Sequence, residues 1–564
     1  MSRAKEGPNA TGGLSRRSFL QGVVAAGSIA ALGPVVGAAP SAGATTGDTS
    51  AAAHTWEKRP APIPDSAIAK TITTEILVIG AGMSGMSAAL TASEEGAKVV
   101  LLEKSGKPSY RGIDYGSVNC DTQKAAGIKL DPNEVLMEAL RWGGHRGDYR
   151  VIKAWVDHSA EAMNWMAGKL RAGGATVVPQ AMDFQVIPGA SYKYFPTDSF
   201  LCVPTPPVMK VAEEQGYNPY AASWAYALRP QLDKFGVQTL WNTRAHQLIR
   251  QEGDRVTGAI AQDATGAYVK ILAEKAVVLC TGDYGRNDEM LRAFIPYVDD
   301  IYDVNSPANS TGDGHIMGMW AGAAIDEGPH APMYFDEGTV GAPHAESIPV
   351  LRQPWLYLNM HGERYTNEDL PYAYVVNATN AQPNHVKWVL FDAKWPQDGP
   401  KMHMIVCKDF RCGLHDPKFV AELIAKGVIL SANSIEELVA KTGMPKKQAL
   451  ASIQHYNELC SGGVDTDFSK RPACLNSITK APFYAAKTGT TLLVTLGGLK
   501  INDTMQVLDT SANVIPHLYA AGNTSGCFFA NEYPITLSGV SHGRALTFGR
   551  RAVLHALDKL PTNA

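Results

Sequence analysis

The sequence predicts an α/β protein: a Rossmann-type dinucleotide-binding domain, discontinuous along the chain, with an α+β cap domain inserted into it. Three stretches carry that expectation. Ile76-Leu77-Val78-Ile79 is an apolar run of strand type that enters Gly80-Ala81-Gly82-Met83-Ser84-Gly85, and an alanine-rich helical pattern follows from Met86 to Ala92. Val99 to Leu102 is a second apolar run and ends in an acid, Glu103. Ile515 to Asn523 reads as a further buried strand and turn, which returns the chain to the same domain.

The glycine spacing has a physical purpose. Gly80 permits the tight turn, Gly82 lets the backbone approach a pyrophosphate, and Gly85 lets helix and strand pack closely. The helix N-terminus offers free N–H groups and a positive dipole end to the phosphates. Glu103 is placed to accept hydrogen bonds from ribose hydroxyls.

Residues 1–44 read as an address rather than a fold. Ser15-Arg16-Arg17-Ser18-Phe19-Leu20 resembles a twin-arginine export signal, with an apolar small-residue segment after it and Ala42-Gly43-Ala44 as a cleavage site. That predicts a periplasmic location or one at the outer face of the cytoplasmic membrane, with no integral membrane segment after cleavage. Residues 45–70, rich in Ala, Thr, Ser and Pro, read as a linker. The dinucleotide domain is expected over 71–325 and 489–564, and the cap over 326–488.

Within these bounds, Pro132–Trp142 and Tyr149–Leu170 show helical patterns, Thr239–Val256 looks like strand, and Ala276–Asp283 is a buried strand ending in a turn. Thr311-Gly312-Asp313-Gly314 opens a helix. In the cap, Ser434–Thr442 and Lys446–Leu459 are amphipathic, with Ser434 and Glu437 forming a capping box.

The chain has 564 residues and a formal net charge of -3, which gives no reason to invoke a nucleic acid or an anionic membrane. Its eight cysteines form no Cys-x-x-Cys pair, so neither a haem attachment nor a zinc site is expected. They read as separate thiols, although the even count leaves room for one unplaced disulfide.

Taken together, Gly80–Gly85, Thr311–Gly314, Gly362-Glu363-Arg364-Tyr365-Thr366-Asn367-Glu368, Gly497-Gly498, Tyr519–Asn523 and Thr547–Arg550 resemble one family. It is the FAD-dependent family of fumarate reductase flavoproteins, urocanate reductases and 3-ketosteroid dehydrogenases, of two-dinucleotide-binding type. The resemblance runs from about residue 72 to the end. It implies FAD, a mobile cap that closes on a small-molecule substrate, and FAD contacts at Ser84, Glu103, Gly116, Ser117, Ala245, Asp313, Asn523, Leu537 and Ser538, beside the Gly80, Gly82 and Gly85 backbone.

The departures from that pattern point to the substrate. Where fumarate and urocanate reductases carry a proton-donating arginine, this chain has Tyr372. Leu493 or Val494 stands where they have a carboxylate-binding histidine, and Glu532 where they have a carboxylate-binding arginine. A small dicarboxylate would lose its grips, and an unpaired carboxylate in a closed pocket costs several kcal/mol. Ketosteroid dehydrogenases do match at Asn367-Glu368-Asp369-Leu370-Pro371-Tyr372 and at Tyr533-Pro534, but their glycine-rich run after Tyr-Pro becomes Ile535-Thr536-Leu537-Ser538-Gly539 here.

The resemblance thus implies an oxidoreductase acting on CH–CH groups, reducing an activated C=C bond in a bulky, largely uncharged substrate. Hydride comes from flavin N5, a proton from Tyr372, and Tyr533 polarises the substrate carbonyl. An isolated phenol, with a pKa of about 10, keeps its proton at neutral pH and can act as the acid. Oxidation of a steroid, as by a 3-ketosteroid 1-dehydrogenase, is the alternative; fumarate or urocanate reduction ranks third. A non-catalytic flavin electron carrier is disfavoured by the large cap. Export and the lack of a haem motif imply an extracytoplasmic or membrane electron donor, a cytochrome or an FMN protein. Arg364 and Glu368 read as a structural pair in the cap loop. His330, Tyr334 and Tyr115 are secondary candidates for pocket walls, and Glu532 is open between taking a proton, touching the ribityl chain and pairing with a lysine.

Overall fold

A computed structural model describes residues 54–108, 112–179, 189–190, 192–215, 219–251, 253–295, 297–300, 303–339, 349–402 and 417–560. The export signal and the first part of the expected linker lie outside these. From His54 the chain lies against the protein body. Trp56 is buried, its carbonyl accepts the indole N–H of Trp320 at 2.6 Å, and the Thr55 N–H donates to Glu289 at 2.8 Å.

The strands are β1 (Ile68–Ile79), β2 (Val99–Leu102), β3 (Thr176–Pro179), β4 (Phe200–Val203), β5 (Gln238–Leu240), β6 (Arg244–Ile249), β7 (Gly258–Gln262), β8 (Tyr268–Leu279), β9 (Asp303–Val304), β10 (Pro332–Thr339), β11 (Leu356–Leu358), β12 (Val386–Asp392), β13 (Ile429–Ala432), β14 (Phe483–Thr495), β15 (Gln506–Leu508) and β16 (Val514–Ala520). The larger sheet runs β15-β16-β8-β1-β2-β5, with β7 on β8 and β6 on β7. Its centre is parallel: Ile76–Ile79 of β1 stand beside Val99–Leu102 and beside Ala276–Leu279. Strands covered on both faces read as unbroken apolar runs, and Ile76, Leu77 and Val78 are fully buried. The helix Met83–Glu94 connects β1 to β2, as a parallel pair requires. The closing helix Val540–Ala556 packs on it, where Ser87 Oγ donates to the Leu546 carbonyl at 2.9 Å.

The second sheet runs β10-β14-β12-β11, with β13 and β9 also on β14. Its spine, the 13-residue β14, leads into Gly497-Gly498, and Leu499 then bridges to Ile325 and Ser525 beside the first sheet. Apolar clusters fill both faces, one around Trp355, Tyr357 and Phe391, the other around Leu358, Trp388 and Tyr456.

The helix Ile435–Thr442 departs from the expected capping box. Ser434 Oγ accepts the Glu437 N–H at 3.1 Å, but the Glu437 carboxylate takes the N–H of Asn433 at 3.2 Å, one residue earlier than the box requires. The other oxygen of Glu437 pairs with Lys441 at 2.8 Å. The six described cysteines are free thiols; Cys407 and Cys412 lie outside the described residues.

Candidate active site

The nucleotide end of the site is built by backbone. Gly80, at φ +104°, donates its N–H to Leu102 O at 2.8 Å, and a methyl group there would collide with the Cys280 carbonyl. Gly85 approaches Gly80 so closely that a side chain would strike its carbonyl, whereas a Cβ on Gly82 would meet nothing within 4 Å. Gly82 caps the Met83–Glu94 helix without any side chain, so the helix N–H groups face that open space. Glu103 is buried; it accepts the Ala81 N–H at 2.8 Å and, on its other oxygen, the N–H and hydroxyl of Ser105. The acid therefore clamps the glycine loop to β2 besides facing the site.

Asp313 begins the helix Asp313–Trp320 and is held by two cations. Lys104 Nζ reaches it at 3.0 Å, and Arg244 grips both oxygens at 2.8 and 3.1 Å. Burial alone would raise its pKa, but Lys104 and Arg244 outweigh burial and keep the carboxyl below the usual range. Ala245 is buried next to Arg244 on β6. The sequence reading missed Lys104 and Arg244; the signal was the basic residue directly after Glu103 and directly before Ala245.

Gly116, Ser117, Leu537 and Ser538 meet in one wall. The Gly116 N–H donates to Gly539 O at 2.8 Å, the Ser117 N–H to Thr197 O at 2.8 Å, and Thr197 Oγ1 to Ser538 O at 2.6 Å. Ser538 Oγ donates to Asp198, a buried acid whose carboxyl is pushed well up by burial and by nearby Asp114. Asn523, just beyond β16, accepts from Arg544 at 3.0 Å. Ser84 lies under Gly522.

Tyr372 is the first residue of the helix Tyr372–Asn380, 2% exposed, with its ring 5.0 Å from Phe335 of β10. Arg352 lies on Phe335 at 5.1 Å. Tyr533 has a parallel arrangement: its ring lies 5.5 Å from Phe529, and Arg544 sits over Phe529 at 4.7 Å. Both tyrosines belong to the same apolar cluster, which also holds Val494. The helix and the Tyr533 loop are tied by Asn377, whose amide donates to Glu532 at 3.3 Å.

The secondary candidates have structural partners. His330 Nδ1 shares a 2.6 Å hydrogen bond with the Tyr284 hydroxyl, its Nε2 faces the Asp326 carbonyl at 2.8 Å, and its ring stacks on Phe294 at 4.4 Å. Tyr115 stacks on Phe200 at 5.0 Å. Tyr334 is buried edge-on to Tyr297. Arg364 forks both Glu368 and Asp465 at 2.7–2.9 Å, a buried network of charges in the cap loop.

Arg544 gave no signal in the sequence. It is fully buried, donates to Ser525 O and Asn523 Oδ1, and keeps an Nε without a hydrogen-bond partner among the described residues; burial brings its pKa down to about 10. That orphaned donor, the orphaned Asp198 Oδ1 and the open cradle at Gly82 fit a bound dinucleotide. Among the described residues, no group of three His, Cys, Asp or Glu could hold a metal ion, and no helix is long and apolar enough to cross a membrane.

A glycine-loop nucleotide cradle in the same chain as a buried cluster holding Tyr372 and Tyr533 is the arrangement of a flavin-dependent oxidoreductase. Residues 75–534 match the FAD-binding domain family model, and the chain belongs to that family. It is 30% identical, over 87% of its length and 97% of the other's, to a vinyl phenol reductase of Lactiplantibacillus plantarum. A probable fumarate reductase of Shewanella frigidimarina is 26% identical, with 86% of this chain and 76% of that one covered. A solved 3-ketosteroid-Δ4-(5α)-dehydrogenase from Rhodococcus jostii superposes with a TM-score of 0.67 at 21% identity, covering 88% and 99%, and shares the fold. The protein is thus an FAD-dependent oxidoreductase acting on CH–CH groups, with relatives that reduce C=C bonds or dehydrogenate steroids.

Proposed function

We propose that the protein reduces an activated C=C bond in a bulky, largely uncharged substrate, with Tyr372 as proton donor. The observation that carries this reading is the setting of Tyr372. It is a phenol, buried at the head of a cap helix against Phe335, where the dicarboxylate reductases are expected to place an arginine. The similarity to a vinyl phenol reductase, itself named for a neutral aromatic substrate, supports the same choice.

FAD, held by the Gly80–Gly85 loop, Glu103, the Gly116–Ser117 wall and Asn523, supplies hydride chemistry when bound. The protein's own groups do the rest. The cap helix and the Tyr533 loop, joined through Asn377 and Glu532, flank the substrate. Tyr372 hands its hydroxyl proton to carbon, and Tyr533 donates a hydrogen bond to the substrate oxygen on which charge develops. Arg352, one aromatic ring behind Tyr372, favours the phenolate left after proton donation, and Arg544, one ring behind Tyr533, favours the hydrogen bond that Tyr533 donates. Reducing equivalents come from an extracytoplasmic or membrane electron-donor protein, in keeping with the twin-arginine signature. Steroid oxidation is the second reading, favoured by Tyr533-Pro534.

Anaerobic assays of the FAD-loaded protein with reduced viologen and a panel of vinyl phenols, enones, stilbenes and steroids separate the two, with dye-linked steroid oxidation as the opposing arm. Tyr372→Phe should lower turnover by about 10²–10⁴-fold while FAD stays bound. Near-normal turnover in that variant removes Tyr372 from the chemistry.

A further inference from the structure

Arg544 stands on the helix Val540–Ala556 with 0% of its surface exposed, and it has no salt-bridge partner among the described residues. Its two hydrogen bonds go to neutral oxygens, the Ser525 carbonyl at 3.1 Å and the Asn523 amide at 3.0 Å, and its Nε has no described acceptor. Its other neighbours are the faces of Phe528 and Phe529, 5.6 and 4.7 Å away. Asp326 and Tyr533 are the titratable groups that favour its charge. Asp326, however, accepts the N–H groups of Cys527 and Gly498, at 3.0 and 3.2 Å, and burial lifts its carboxyl. A guanidinium in such a place opposes folding unless an anion arrives to offset it.

The surroundings of Arg544 indicate which anion. Asn523 is one of the expected FAD contacts, and the same helix abuts two more. A Cβ on Gly543, beside Arg544, would strike the Gly116 carbonyl, and one on Gly549 would strike the Ser84 carbonyl. The other charged or titratable groups at these walls are paired or neutral. Lys104 and Arg244 both hold Asp313. His315, close to Asn523, has its pKa brought down to about 4 by burial and so carries no charge near neutrality. The Asp198 carboxyl, beside Ser538, is pushed well up by burial and by Asp114. Among the described residues, Arg544 is thus the cation at the FAD walls that no acid pairs.

We propose that Arg544 is the counter-charge of reduced FAD: its guanidinium offsets the negative charge that reduction leaves on the isoalloxazine ring, and so raises the potential of the bound flavin. Two electrons from a low-potential external donor and one proton from water leave the ring with a single negative charge; a second proton would remove it. A buried cation favours the anionic ring over both the doubly protonated ring and the oxidised ring, which is neutral. The diphosphate carries the same charge in oxidised and reduced FAD, so a cation aimed there would favour neither. This role concerns the half-reaction that loads the flavin, and it holds whichever C=C bond is then reduced.

The test is spectroscopic potentiometry of FAD-loaded wild type, Arg544→Lys and Arg544→Gln between about pH 5 and 8, with reduced methyl viologen as the electron source. Wild type should take up one proton per two electrons throughout, so its potential should fall by about 30 mV per pH unit, half the slope of a two-proton couple. Arg544→Gln should prefer reduced over oxidised FAD about 10²-fold less than wild type, which lowers the potential by about 59 mV, and should take up the second proton at the acid end. Arg544→Lys should stay within about threefold of wild type in that preference, and oxidised FAD should bind all three proteins within about tenfold. A Gln variant within about threefold of wild type in the same preference overturns the proposal. So does an equal loss of affinity for oxidised FAD, reduced FAD and ADP, which would place the charge at the diphosphate. If Arg544→Gln yields protein without flavin, wild type and Arg544→Lys decide. Two protons per two electrons across the range in wild type, or a Lys variant whose preference falls by about 10²-fold, then overturns the proposal, and one proton with the Lys preference retained supports it.

Discussion

Replacing Arg364 with Gln should unfold the cap network without touching the chemistry. Arg364 makes four hydrogen bonds of 2.7–2.9 Å to Glu368 and Asp465, and Lys470 adds a 3.3 Å contact to Glu368. Two cations thus face two carboxylates, and the acid side chains are 0% exposed. Burial opposes the charges, yet the Arg364 hydrogen bonds hold Asp465 well below the ordinary carboxylate range. Without the guanidinium, Glu368 is left with Lys470 and Asp465 with the backbone N–H groups of Asp467, Phe468 and Lys470, and that lysine is committed to Trp355 O at 3.0 Å and the Tyr456 hydroxyl at 2.9 Å. Breaking a buried pair of this kind costs about 3–5 kcal/mol. Arg364→Lys keeps the charge but loses the fork, and should cost less, about 1–3 kcal/mol. Urea unfolding of the FAD-loaded protein measures both, and a double-mutant cycle with Asp465→Asn should return a coupling of about 2 kcal/mol or more. Turnover at saturating substrate should stay within a few-fold. A stability loss below about 1 kcal/mol for Arg364→Gln, or coupling near zero, would refute the network as the element that holds the cap loop.

Two further outcomes follow from the buried framework. Gly80→Ala should give protein without flavin, read by its visible absorbance, because the new methyl meets the Cys280 carbonyl and φ is +104°; a yellow variant would contradict the role of that turn. His315 is fully buried and its pKa is brought down to about 4 by burial and by nearby His330. Its neutral form is therefore favoured in the folded state. The stability it contributes is complete above about 6.5 and is lost as pH falls towards 4, about 3 kcal/mol in all. His315→Phe should flatten that part of the urea-midpoint profile, and an unchanged slope between pH 7 and 4 would exclude His315 as its source.

Much of the nucleotide site is written in local pattern, and the residues that work across the fold are not. Gly80, Gly82, Gly85 and Glu103 are legible because a strand, a turn, a helix and an acid within one βαβ unit each leave a signature of spacing. Arg544 and Asp198 were illegible because their partners, Asn523 and Ser538, lie 21 and 340 residues away in sequence. No window of periodicity spans such distances. Glu532 was visible as a departure, but its meaning was not, since burial lifts its carboxyl and its cavity neighbours Tyr297 and Tyr374 lie far from it in sequence.

By itself, then, the sequence determined the parallel βαβ core and the FAD family, because each depends on residue type and short spacing. Tertiary structure alone decided that Tyr372 is buried against Phe335, that Arg364 is bound into a four-charge cluster, and that an acid close to neutrality faces a cavity of phenols and amides. Burial and charge balance are properties of what the fold brings together, and the chain brings these groups together only when it closes.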